Sequence, residues 1–89
     1  MSTLSIQPYN YARAITPSNT IDIWQTAPVN GRRLTDAIQF GTGGTAAVVL
    51  EDDTVCSFTV IAGQVLPIRA KRLNSTGTAA TLPVGLWLL

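Results

Sequence analysis

The sequence predicts an all-β protein, a small antiparallel β-sandwich or barrel with an extended N-terminal arm. Three observations carry that expectation. From Asp36 onward, turn residues recur every eight to twelve residues, the spacing of short strands in sandwiches and barrels. The runs between those turns are rich in Val, Ile, Thr and Phe, which suit a pleated, half-buried surface. No run holds apolar residues at three- and four-residue spacing for long, so no substantial helix is expected.

Residues 1–20 read as an arm and residues 21–89 as a single β domain. Pro8, Pro17 and Pro28 punctuate the first third, and proline removes a ladder donor. Ile21 and Ile23 alternate with Asp22 and Trp24, which suggests a short strand over 20–26. The one helical option is a single turn between Arg32 and Ile38. The first clear strand is 36–40. It is closed by Gly41-Thr42-Gly43-Gly44, a tight turn expected to use the positive φ angles that glycine permits. The second strand is 45–50, closed by Glu51-Asp52-Asp53. Its residues are apolar on both faces, which fits a strand covered on both sides. The third is 54–61, with Cys56, Phe58 and Val60 on one face and Ser57 and Thr59 on a solvated one. The fourth is 65–73, with Leu66, Ile68 and Ala70 inward and Arg69 and Lys71 outward. Pro67 inside that run argues for an edge position or a bulge. A fifth segment, 79–89, ends in an almost wholly apolar stretch from Leu82, which must be tied into a sheet or an interface. Phe58, Val48, Leu50, Ile68 and Leu66 are expected to form the core between sheets.

Composition narrows the function classes. A chain of 89 residues is one domain, and it buries only about 60–65% of its surface. Hydrophobic residues make up 46% and charged residues 12%, against a usual charged share of about 25%. A monomer with so little charge shows much apolar surface to water, and large apolar patches mark interfaces. A homo-oligomer or assembly component is therefore expected, over a monomer kept soluble by Thr, Ser, Asn and Gln. The net charge of +1 gives no steering toward nucleic acid or anionic membrane. A single cysteine, Cys56, excludes an intramolecular disulfide and reads as a small core residue. The start of the chain lacks the basic segment and apolar run of a signal peptide, and no stretch approaches a membrane span. Synthesis in a cytosol-like compartment is expected.

Residues for chemistry are scarce. The chain has no histidine, so His-dependent triads and the usual zinc spacings are impossible. No catalytic, cofactor-binding or metal-binding residues are expected. Glu51, Asp52 and Asp53 form a solvated turn, without the spaced ligands and sharp glycine turn of a calcium loop. The glycine loop at 41–44 lacks the Lys-Ser/Thr and the helix that a phosphate cradle needs.

What remains is partner contact, with Tyr9, Tyr11, Trp24, Arg69, Lys71 and Trp87 as candidate partner-binding residues. The aromatics in the first third either cover one end of the core or dock on a neighbouring subunit. Arg69 and Lys71, with Arg72 at the strand end, either guard an edge strand or pair with acidic residues of a partner. Two other binding roles fit a small β-barrel: holding single-stranded nucleic acid, or stacking sugars on Trp24, Tyr9 and Tyr11. The absence of aromatics among the basic residues counts against the first.

The run Asp36-Ala37-Ile38-Gln39-Phe40-Gly41-Thr42-Gly43-Gly44, then Val48-Val49-Leu50-Glu51-Asp52-Asp53-Thr54, resembles small virion proteins of tailed bacteriophages and phage-like gene transfer agents. So does the stretch 62–81, from Ala62-Gly63-Gln64-Val65-Leu66-Pro67 to Asn74-Ser75-Thr76-Gly77. The family includes head spike-base and capsid-associated accessory proteins, and the likeness covers roughly the last two-thirds of the chain. It implies a non-enzymatic decoration, cement or spike-base protein on the outer surface of the head. The implied partners are the major capsid protein, further copies of the chain and a head fibre protein, with no membrane or nucleic acid. The implied location is the virion capsid surface, after synthesis in the host cytoplasm.

Overall fold

In the computed structural model, which describes residues 9–26, 29 and 31–88, the alternating runs fold into two antiparallel sheets. The first sheet holds, in spatial order, β1 (Tyr11–Ala14), β7 (Pro83–Trp87), β2 (Ala37–Phe40) and β5 (Val65–Leu66). The second holds β4 (Val55–Val60), β3 (Gly44–Leu50) and β6 (Ala70–Leu73). This is a small all-β sandwich, as the turn spacing predicts.

The core lies between the sheets. Ile38 and Phe40 of β2 face Ala46 and Val48 of β3, joined by Val60, Ala70, Leu73 and Trp87. Ala47 and Val49 are buried too, so β3 is covered on both faces as its sequence suggests. Of the five expected core residues, Val48 is fully buried. Leu50, Phe58, Leu66 and Ile68 are partly buried and pack against the cluster. Phe58 is only half-covered because β4 is an edge strand, with nothing beyond it in the sheet among the described residues. Cys56 is a half-buried free thiol on that same strand.

Four local expectations are corrected. The stretch 20–26 holds a helix, α1 (Ile23–Thr26), instead of a strand. Asp22 precedes it, and the Gln25 side chain accepts the Asp22 N–H at 2.8 Å, the returning half of a capping box. That Asp-x-x-Gln signal overrides the short alternation of Ile21 and Ile23. The turn between Arg32 and Ile38 is absent: Val29 and Arg32 form an isolated bridge, and β2 starts at Ala37. The run 65–73 is two strands in different sheets, broken at Pro67. β5 is an edge strand, which suits the proline. β6 then pairs Ala70 with Leu50 and Arg72 with Val49, leaving Lys71 as the extra residue of a bulge. The bulge breaks the alternation, so Ala70 and Leu73 both point inward three residues apart. Finally, Gly41 and Gly43 are needed for close approach and not for positive φ. A Cβ at Gly41 would lie 2.7 Å from Leu82, and one at Gly43 would lie 2.9 Å from the Val60 carbonyl. Only Gly44 in that loop has positive φ.

The arm expected over 1–20 is in part a strand. Residues 1–8 lie outside the described residues. β1 pairs with β7 from Tyr11 opposite Trp87 to Ala14 opposite Val84, and Ile15 enters the core. The chain then follows the edge of β6, where Ser18 N–H donates to the Leu73 carbonyl and Asn19 exchanges bonds with Thr76.

Candidate partner-binding surfaces

The strand directions separate charge along the sandwich. One end collects Arg32, Asp36, the Glu51-Asp52-Asp53 turn, Arg69 and Lys71. Asp36, just before β2, is its hub. One carboxylate oxygen accepts from Arg32 at 3.0 Å and lies 3.8 Å from Arg69; the other accepts the Leu88 N–H at 2.7 Å. Arg32 also donates to the Leu88 carbonyl at 3.3 Å. Asp36 therefore ties the start of β2 to the end of β7 and holds two guanidinium groups. Thr35 beside it is fully buried. Its hydroxyl donates to the Ile68 carbonyl and accepts the Ala70 N–H, which fixes the approach to β6.

Arg69, with a side chain 71% exposed, stands between two shallow depressions. One, of about 510 Å³, is lined by Tyr9, Arg32, Asp36 and Leu88. The other, of about 430 Å³, is lined by Leu34, Leu50, Glu51, Asp52 and Ile68. The fold thus brings Tyr9 and Arg69 to one surface. Lys71 does not join them as a free cation, since it pairs with Asp53 of the β3–β4 turn and its side chain is only 17% exposed. The bulge at Lys71 is the reason that Arg69 and Lys71 do not project as a matched pair. Asp52 in the same turn is held below the usual carboxylate range, first by the Thr54 side chain and then by the Thr54 N–H.

The remaining candidates are dispersed. Tyr11 is exposed on β1. Trp24 is exposed on α1, with the Arg33 guanidinium 5.7 Å from its ring centroid, a cation–π contact. Trp87 is 1% exposed and donates its indole N–H to the Leu34 carbonyl at 3.0 Å, so it belongs to the core and supplies no surface. The ring lies over Gly85, where a Cβ would come within 2.7 Å of it. Its candidacy as a partner contact is thereby corrected, and of the two options open to the apolar stretch from Leu82, a sheet or an interface, the sheet holds: β7 is an interior strand.

None of the candidate residues offered by the sequence lies at the opposite end. It is built from the loops 41–43, 61–64 and 74–82, which contain no charged residue. Thr42 and Thr81 hydroxyls bond at 2.6 Å, and Gly41 and Thr42 N–H groups reach the Thr81 carbonyl. Gly63 N–H reaches the Phe40 carbonyl. With its polar groups joined this way, the end leaves Ile61 and Leu82 outside, each 70% exposed. Leu82 also holds a φ of 56°, in the left-handed region that β-carbons disfavour.

No protein-family model and no curated protein matches the chain. Among solved structures it is similar to a chain from the capsid of a native gene transfer agent (GTA) particle computed with C5 symmetry. The identity is 32% and the TM-score 0.73, over 92% of this chain and 90% of that one. Both the sheet architecture and a third of the residues agree over nearly the full length, and the chain belongs to the same family as this gene transfer agent capsid component.

Proposed function

We propose that the protein is a non-enzymatic structural component of a phage or gene transfer agent virion that binds the outer surface of the head. It acts as a decoration or cement protein or as the base of a head spike, and it self-associates. The observation that carries this is the 32% identity and full-length structural match to a chain of a GTA capsid. The physics of the surface supports it. A chain with 12% charged residues presents an uncharged end with Ile61 and Leu82 exposed. Exposed apolar groups of this kind gain by burial at about 25 cal/mol per Å².

The partner is the major capsid protein, with a head fibre as a further partner where a spike is built. Tyr9 and Arg69 on the charged end, with Tyr11 and Trp24 on their own elements, are the proposed partner contacts. Lys71, paired with Asp53, contributes through the position of that turn. Attachment adds non-covalent links between capsid subunits, and symmetric self-association matches a symmetric shell.

The test is electron microscopy of particles from a strain lacking the gene, compared with wild-type particles and with mutant particles incubated with the purified protein. Loss of a discrete density from the outside of the head, restored by the purified chain, is the expected result. Unchanged heads, or density restored inside the shell, would overturn the proposal.

A further inference from the structure

Each sheet has two edges, and the four edge strands are treated differently. β5 is two residues long and runs into Pro67. β6 is bulged, carries Lys71 and Arg72, and has its Leu73 carbonyl taken by Ser18. β1 is four residues long and carries Arg13, whose guanidinium folds onto the Ala12 carbonyl. Short length, charge, proline and bulges are the devices that keep sheet edges from pairing with other chains. β4 has none of them. It is Val55-Cys56-Ser57-Phe58-Thr59-Val60, six residues with no charge and no proline, in unbroken register with β3.

The register says which of its groups are free. Leu50 N–H donates to the Thr54 carbonyl at 2.9 Å, so the alternate pairs Val48–Cys56, Ala46–Phe58 and Gly44–Val60 exchange bonds across the ladder. Asn74 reaching the Ala47 carbonyl, and Ala79 reaching the Thr45 carbonyl, confirm that those residues of β3 face the other way. Val55, Ser57 and Thr59 therefore turn their N–H and C=O groups outward. Among the described residues nothing bonds them.

We infer that this edge pairs with β4 of a second copy, antiparallel and centred on Ser57, to join two three-stranded sheets into one. This rests on the self-association in the proposed function and names the surface that performs it. The occupant follows from charge: an edge without charged residues opposes no like charge when it meets its own copy, whereas β1 and β6 would each bring cations together. Centring on Ser57 puts Val55 opposite the partner's Thr59, with all three outward residues bonded. On the inner face it sets half-buried Phe58 beside the partner's Cys56, covering apolar surface that the single chain leaves open.

Sedimentation equilibrium of the full chain tests this, with amide hydrogen exchange read residue by residue. The expected result is a dimer in which Val55, Ser57 and Thr59 N–H groups exchange more slowly as concentration rises. Cys56 and Phe58 are already protected by β3 at all concentrations. Ser57→Pro removes an outward N–H and no donor of the β3 ladder, and should weaken association roughly tenfold to a hundredfold. Ser57→Lys, which leaves the backbone intact and sets two ammonium groups directly opposite each other at the centre of the pairing, should weaken it as well, and it decides the matter if Ser57→Pro fails to fold. Ala12→Lys on β1 should leave association unchanged. A chain that stays monomeric at its solubility limit, or a folded Ser57→Lys variant that associates as tightly as wild type, would overturn the inference. Re-decoration of deficient particles separates the two claims: attachment by a monomeric wild type sinks the β4 pairing alone, and failure to attach sinks the proposed function.

Discussion

The two ends of the sandwich solve the same problem, closing the strand ends, with different chemistry. At the charged end, ionic groups are occupied with one another: Asp36 with Arg32, Arg69 and the Leu88 amide, and Lys71 with Asp53. At the uncharged end, threonine hydroxyls and backbone amides close the loops and leave two large aliphatic side chains outside. An exposed ion pair is worth about 0–1 kcal/mol, and much of it is screened by salt. Burying an aliphatic side chain is worth about 1.5–3 kcal/mol. Conspicuous charge therefore mainly sets the molecule's own geometry, while the plainer end has more to gain from a partner.

The sharpest way to break this comparison is to ask what holds the charged end together. Trp87→Ala empties a fully buried site beneath it and should cost about 3–5 kcal/mol in denaturant unfolding. Asp36→Ala should cost less, about 1–3 kcal/mol, for the Leu88 N–H and Arg32 left without their acceptor. If Asp36→Ala proved the more damaging, the ionic hub would be the true support of that end. The uncharged end gives a smaller effect on stability. Leu82→Gly relieves a left-handed φ while removing an exposed side chain, and should shift stability by no more than about 1 kcal/mol in either direction. Its effect belongs in attachment, where occupancy on deficient particles should fall; full occupancy would remove the distinction between the ends.

Arg69→Glu tests the converse. Its stability change should stay within about 0.5 kcal/mol, since the side chain is exposed. If Arg69 meets an acidic partner, attachment should slow at low salt and recover as salt rises. Attachment rates equal to wild type at both salt concentrations would leave Arg69, which lies between β5 and β6, with only its contact to Asp36. The smallest effect concerns Asp52. Its folded pKa is depressed, so its contribution is present above the unfolded value and is lost as pH falls through the folded one. Asp52→Asn should flatten the acid limb of the stability curve slightly below about pH 4; an unchanged limb would show that Thr54 does not hold the carboxylate.

Strands with clean alternation and flanking turns were legible in the sequence. β2, β3 and β4 lie within a residue or two of where their patterns end, because turn residues flank each run: β4 alternates between them, and β3 is a short apolar run covered on both faces. What failed involved a competing local signal. The Asp22-x-x-Gln25 cap outweighed four alternating residues, and Pro67 divided one apparent strand between two sheets. Tyr11 was read as part of an arm because a four-residue strand of wholly exposed residues has no hydrophobic pattern; its partner, β7, lies far away in sequence. The candidate site was less legible still. Tyr9 and Arg69 share a surface, Trp87 is buried beneath it, and Lys71 is turned aside by a bulge that no composition or period announces. Asp36 had a signal, an acid four residues after an arginine, but its third partner is the backbone of Leu88 across the sheet.

The position of β7 bears on how the molecule is made. It sits between β1 and β2, so β1 has no strand partner and β2 only β5 until that strand has been synthesised. The β3–β4 hairpin closes locally and needs nothing later than Val60. During translation, at about 5–20 residues per second, the second sheet can gather while β1 waits unpaired and β2 holds only β5 along one edge. The pairing of Tyr11 with Trp87 closes nearly the whole chain into one loop, and such non-local closure is slow compared with a hairpin. A nascent chain stalled before β7 would therefore display a formed hairpin, an unpaired β1 and an open edge on β2, a state open to aggregation and to chaperones until β7 slides in.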